Sequence, residues 1–130
     1  NDGGNGVEDM WLDITKTGDE FTAVQNKFAE VWSSIANTFA DYDQKLIFEG
    51  FNELNNGNYN STPNQTETDN VNSLNETFVD TVRNSGVKNT DRLLIVSGYN
   101  ADINDTKNSF VKPNDTSANR LMLSVHYYVG

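Results

Sequence analysis

The chain has no cysteine in 130 residues, so disulfides, thiolate metal sites and cysteine nucleophiles are all excluded. It is also short of cations, with 9 Lys plus Arg against 19 Asp plus Glu and a net charge of −10. Nucleic-acid binding needs clustered cations that release counterions, so nucleic acid is excluded as a partner. An anionic membrane surface is disfavoured on the same ground. No apolar run approaches the ~20 residues of a membrane span, and no leader peptide is recognisable. Histidine occurs once, at His126, which rules out a multi-histidine metal site. No Gly-x-Gly-x-x-Gly follows any apolar run, which argues against a dinucleotide. The chain begins at Asn1 rather than Met, as a mature product or a fragment would.

What is present suits one small domain. Hydrophobic residues make up 35% and charged residues 22%, enough apolar material for a core. Asparagine is abundant, and Asn-x-Ser/Thr sequons start at Asn60, Asn64, Asn75, Asn104 and Asn114. These are glycan acceptors in a eukaryotic secretory setting, or the chance product of a composition rich in Asn and Thr.

Apolar periodicity gives the organisation. Phe21, Val24, Phe28, Val31, Trp32, Ile35 and Phe39 recur every three or four residues, an amphipathic helix over about 19–41. Thr17-Gly18-Asp19-Glu20 has the spacing of a capping box at its start. Val71, Leu74, Phe78, Val79 and Val82 mark a second helix over about 68–85, with Gly86 available for a left-handed cap. Between them, 55–66 reads as a polar surface loop. Three short apolar runs, at about 45–49, 92–97 and 121–126, read as strands, and 100–120 as irregular or weakly helical. Crossover-length segments between the runs imply a parallel sheet and an α/β fold. Trp32 falls on the core stripe of the first helix.

Each run ends in residues that can do chemistry: Asn52 and Glu53, then Tyr99, then His126 and Tyr128. In parallel α/β folds the active site lies just past the carboxyl ends of the strands. A carboxylic acid there, with an amide beside it, suits general acid work on a polar substrate. Glu49 sits one residue before Gly50 and reads as a structural contact near the site. Asp102, Asn104 and Asp105 resemble a calcium cluster, but the loop pattern with its final Glu is missing.

The runs Leu46-Ile47-Phe48-Glu49-Gly50-Phe51-Asn52-Glu53, Arg92 to Tyr99, and Leu121-Met122-Leu123-Ser124-Val125-His126-Tyr127-Tyr128 closely resemble the cellulase-type members of glycoside hydrolase family 5. That resemblance implies a partial (β/α)8 TIM barrel, a central slice from the loop after the third strand through the sixth strand. Residues 1–130 would then be a fragment of a single catalytic domain. Such a barrel takes about 250 residues, roughly twice this chain. Asn1-Asp2-Gly3-Gly4 looks like the loop after the third strand.

By the same resemblance Glu53 is the acid/base and Asn52 binds the sugar 2-hydroxyl. His126 lines the site, and Tyr128 hydrogen-bonds a nucleophilic Glu carried by a later strand. Trp11 and Tyr99 are candidate walls on which a sugar ring stacks. No cofactor and no metal are implied. The implied activity is that of a retaining endo-β-1,4-glucanase, secreted and acting on plant β-glucan. Mannanase, xylanase, xyloglucanase and licheninase specificities remain open, as do a non-catalytic carbohydrate-binding fragment and an unrelated α/β binding protein. A slice with open sheet edges is expected to be marginally stable, prone to self-association and inactive alone.

Overall fold

The computed structural model describes residues 11–128. The segment read as the loop after a third strand, Asn1-Asp2-Gly3-Gly4, lies outside the described residues. Three strands, β1 (Phe48–Glu49), β2 (Leu94–Asp102) and β3 (Leu121–His126), form one sheet in the order β1-β2-β3. Both pairings are parallel. Helices α1 (Gly18–Thr38), α2 (Gln65–Arg83) and α3 (Ile103–Ser109) alternate with the strands. The α/β expectation therefore holds, and an antiparallel sandwich is excluded.

Helix α1 buries Phe21, Val24, Phe28, Trp32 and Ala36, while Val31 and Phe39 lie exposed on its flank. The capping box expected at Thr17 does not form, because the Thr17 side chain makes no capping bond. Gly18 enters the helix at φ 55°, whereas a box needs helical geometry from the first position onward. The box is found on α2 instead. Asn64 Oδ1 accepts from Glu67 N–H at 2.9 Å, and Glu67 Oε2 accepts from Asn64 N–H at 3.0 Å. Helix α2 ends at Asn84, and Gly86, at φ 150° and ψ 158°, opens the following 3-10 turn rather than providing a left-handed cap.

Trp32 does more than fill the core. Its ring lies 4.4 Å from that of Phe78 and 5.7 Å from that of Phe48, and its indole N–H donates to Gly50 C=O at 3.1 Å. It thereby ties α1 to the end of β1.

Only two residues of the apolar run 45–49 join the sheet. Arg92 explains the shortening. Its guanidinium is buried and donates to the carbonyls of Tyr42, Asp43 and Leu46 at 2.9, 2.8 and 2.7 Å. The chain before Phe48 is thus a turn gripped by arginine, and Arg92 itself caps that turn instead of starting β2. At its other end β2 runs past the expected break at Ser97 to Asp102, with an irregular register between those two residues. Gly98 permits this, since a Cβ there would stand 2.4 Å from Thr106 Oγ1 and 2.9 Å from Thr106 Cα on α3. Below β3, Arg83 binds Asp115 with both partners buried, at 2.7 Å from Nε and 2.9 Å from Nη2. That bidentate pair anchors the connection from α3 into β3.

Candidate active site

Because β1 and β3 run parallel on either side of β2, their carboxyl ends lie on one rim. Glu53, four residues beyond the end of β1, meets His126, the last residue of β3. Glu53 Oε1 lies 2.7 Å from His126 Nδ1. Tyr128, two residues further on, donates its phenol O–H to the same carboxylate oxygen, and its ring stands edge-on to the imidazole at 86°. Three of the site residues expected from sequence thus converge on one oxygen. The Glu53 and His126 side chains are 18% and 28% exposed, so the cluster is sheltered yet open to a solute.

The electrostatics follow from these contacts. Hydrogen bonds from His126, then from Tyr128, hold the Glu53 carboxyl below its ordinary range, against the opposing effect of burial. The hydrogen bond to Glu53 in turn pushes the Tyr128 phenol up, with the nearby Tyr59 adding to the shift. In this chain Glu53 is therefore held as a carboxylate. The resemblance assigned Tyr128 to a nucleophilic glutamate, but among the described residues its partner is Glu53.

Asn52 stands exposed beside this cluster and lines a separate hollow of about 410 Å³ on the α1 side of β1. Trp11, Phe28, Trp32 and Glu49 line the same hollow. Lys27 Nζ lies 4.8 Å from the centroid of the Trp11 ring, so part of that ring is already engaged. Glu49 borders this hollow and not the Glu53 cluster.

Tyr99 must be corrected. It is only 1% exposed, so no ring face is free to stack on a sugar. Its hydroxyl accepts from Asn56 N–H at 3.3 Å and contacts Ser61 Oγ at the same distance. The side chain alternates inward at the bulged end of β2 and supports the loop after Glu53. The Asp102 cluster also has a plain role: Asp102 Oδ1 caps α3 by accepting from Asn104 and Asp105 N–H at 2.8 and 3.0 Å. Asn75 is wholly buried and donates to Ser97 C=O at 2.8 Å, so that sequon is closed to glycosylation in the folded chain.

Sequence reasoning missed Asn55 and Asn100. Asn55 falls in the stretch expected to be a polar surface loop, yet it is buried and donates through Nδ2 to Glu53 C=O at 2.9 Å and to Asn100 Oδ1 at 3.1 Å. The signal available lay at Asn100, an asparagine three residues past the apolar run 92–97, a residue type that tolerates the left-handed backbone found there.

Comparison with known proteins bears on the family and the fold. The family model described as cellulase (glycosyl hydrolase family 5) matches residues 7–130. Endoglucanase A of Paenibacillus barcinonensis is 37% identical over 98% of this chain and 34% of its own length. A xyloglucan-specific endo-β-1,4-glucanase of Bacteroides ovatus is 40% identical over 82% of this chain and 21% of its own. Among solved structures, a broad-specificity endoglucanase from Bacteroides salanitronis superposes with a TM-score of 0.88 at 37% identity, covering 95% of this chain and 34% of that one. A family 5 xyloglucanase from Paenibacillus pabuli gives 0.86 at 40%, covering 98% and 37%. The chain therefore spans about a third or less of these relatives.

Proposed function

The chain belongs to the cellulase family, glycosyl hydrolase family 5, and its three-stranded parallel sheet is part of that family's barrel; from this premise we propose that it carries the acid/base side of an endo-β-1,4-glucanase site. The observation that supports this most is the Glu53 carboxylate gripped by His126 and Tyr128 where two parallel strands end.

In a retaining glycosidase two carboxyl groups about 5–5.5 Å apart flank the scissile bond. Glu53 in its protonated form gives its proton to the departing glycosidic oxygen while the second carboxylate attacks the anomeric carbon. Glu53 then takes a proton from water as that water displaces the enzyme-bound sugar. Here His126 and Tyr128 favour the ionised form of Glu53, which suits the second, basic step. The first step needs an anionic neighbour to raise its pKa, the part played by an ionised nucleophile. The resemblance puts that nucleophile on a later strand, so this chain alone performs no double displacement. Asn52, the residue before Glu53, takes the contact to a sugar hydroxyl in this reading, on the strength of the resemblance, although it borders the separate hollow on the α1 side. Secretion is part of this reading, since a polymeric substrate of that kind is met outside the cell.

The substrate reading is unbranched β-1,4-glucan. Xyloglucan is the second reading, because two of the relatives are named as xyloglucan enzymes.

The test is Glu53→Gln in a complete barrel containing these residues. The kcat/KM for cello-oligosaccharides, which reports the step in which the leaving group needs protonation, should fall about 10²–10⁴-fold. Aryl glycosides with activated leaving groups should lose far less. Equal losses on both substrates would remove Glu53 from the role of acid.

A further inference from the structure

Glu53 hangs beyond the reach of the sheet. The last bond of the β1 ladder runs from Gly50 N–H to Ile95 C=O at 3.1 Å, and residues 51–56 have no regular structure. A carboxylate on such a backbone needs another support, since displacing a reacting group by about 1 Å can cost on the order of 10²-fold in rate.

The tip of β2 supplies that support. Asn100 N–H donates to Leu54 C=O at 2.7 Å. Asn55 Nδ2 divides its two hydrogens between Asn100 Oδ1 at 3.1 Å and the carbonyl of Glu53 itself at 2.9 Å. Asn55 Oδ1 then accepts from Gly57 N–H at 2.8 Å, and the Tyr99 hydroxyl accepts from Asn56 N–H at 3.3 Å. Asn55 is 6% exposed, so these are sheltered bonds rather than solvated ones.

The β2 tip adopts an unfavourable shape to make these contacts. Asn100 and Ala101 both have left-handed backbone, at φ 53° and 50°, which non-glycine residues rarely adopt. This falls within the irregular register between Ser97 and Asp102. At this left-handed step both the backbone N–H and the side-chain oxygen of Asn100 are bonded to the loop that carries Glu53.

We infer that Asn55 and Asn100 are positioning residues for the acid/base carboxylate, coupling the tip of β2 to the backbone of Glu53. The inference rests on the reading of Glu53 as the acid/base. Neither asparagine touches the reacting atoms. Each acts by fixing where the Glu53 carboxyl stands relative to the leaving oxygen.

The experiment compares kcat/KM for cellotetraose with that for an activated aryl cellobioside, in a complete barrel containing these residues. The variants are Asn55→Ala, Asn100→Ala, Asn100→Gly and Asn100→Asp, with Glu53→Gln as reference and a thermal melt of each. Asn55→Ala and Asn100→Ala should lose about tenfold on cellotetraose and little on the aryl substrate, as expected for misplaced acid assistance. Asn100→Asp, which keeps the acceptor oxygen and tolerates left-handed backbone, should recover most of the loss. Asn100→Gly relieves the backbone but lacks the acceptor, and should remain impaired. Equal losses on both substrates, or full activity in Asn100→Gly, overturn the inference. If Asn55→Ala does not fold, the Asn100→Gly and Asn100→Asp pair decides. If Glu53→Gln fails to discriminate between the substrates, the acid assignment falls and the clamp with it. If Glu53→Gln discriminates and the folded asparagine variants do not, only the clamp falls.

Discussion

β2 and β3 lie side by side with nearly the same residues, Leu-Leu-Ile-Val-Ser at 93–97 against Leu-Met-Leu-Ser-Val at 121–125. Their surroundings differ sharply. In β2, Leu94, Val96, Ser97 and Tyr99 are buried, whereas Met122, Leu123 and Val125 of β3 are all at least 40% exposed. β2 has a strand on each edge and α2 and α3 packed against it, while β3 has β2 on one edge and light contact with α3. Burial thus comes from neighbours, not from the apolar run itself. The well-packed strand holds the frame, and the strand with few neighbours carries His126 and Tyr128 to an open rim.

The largest effect should come from testing that contrast directly. Leu94→Ala, at a fully buried position, should cost about 2–5 kcal/mol in urea denaturation. Leu123→Ala, at a position 50% exposed, should stay within about 0.5 kcal/mol. Similar losses in this chain would break the comparison. In a complete barrel, where a further strand covers β3, the cost of Leu123→Ala should climb toward that of Leu94→Ala.

A smaller effect separates the two long helices. Asn64→Ala removes a capping box with both bonds made and should cost about 1 kcal/mol. Thr17→Ala removes no capping bond and should leave the denaturation midpoint almost unmoved. A Thr17 variant as costly as the Asn64 variant would restore the capping reading at Thr17.

The smallest effect concerns pH. Glu53 has its pKa lowered in the fold, so its contacts add stability above the unfolded carboxyl's pKa, and that stability is lost as pH falls through the lowered folded value. Acidification should therefore release the tip of β3 from the Glu53 loop before the α1–α2–β2 core melts. The ring signals of His126 in an NMR titration would report the release, and Glu53→Gln should abolish the transition. An unchanged His126 environment far below the carboxylate range would mean that the rim is held by something other than Glu53.

Much of this was legible in the chain. The apolar stripe of α1 and that of α2 gave both helices to within a few residues, because one face of each must meet the core. The run 121–126 matched β3 fully. The convergence of Glu53, His126 and Tyr128 followed from strand ends in a parallel sheet. Less legible was anything that depended on a distant partner. Arg92 read as the start of a strand and proved to grip the carbonyls of 42, 43 and 46. Tyr99 read as a sugar platform and proved to be a buried prop. Asn55 read as loop polarity, although Asn100, 45 residues away, makes it part of the site's frame.

The sequence by itself determined the α/β order, the residue types gathered at the strand ends and the strongly acidic balance of the chain, because periodicity, turn chemistry and net charge are local or summed properties. Only the tertiary structure decided which apolar strand is covered, which aromatic faces solvent, and which asparagines hold the Glu53 backbone. The physical reason is that burial and hydrogen-bond geometry depend on residues far apart in the chain. Leu94 and Leu121 sit opposite one another in register, and nothing in either side chain reveals how unequally the two strands are covered.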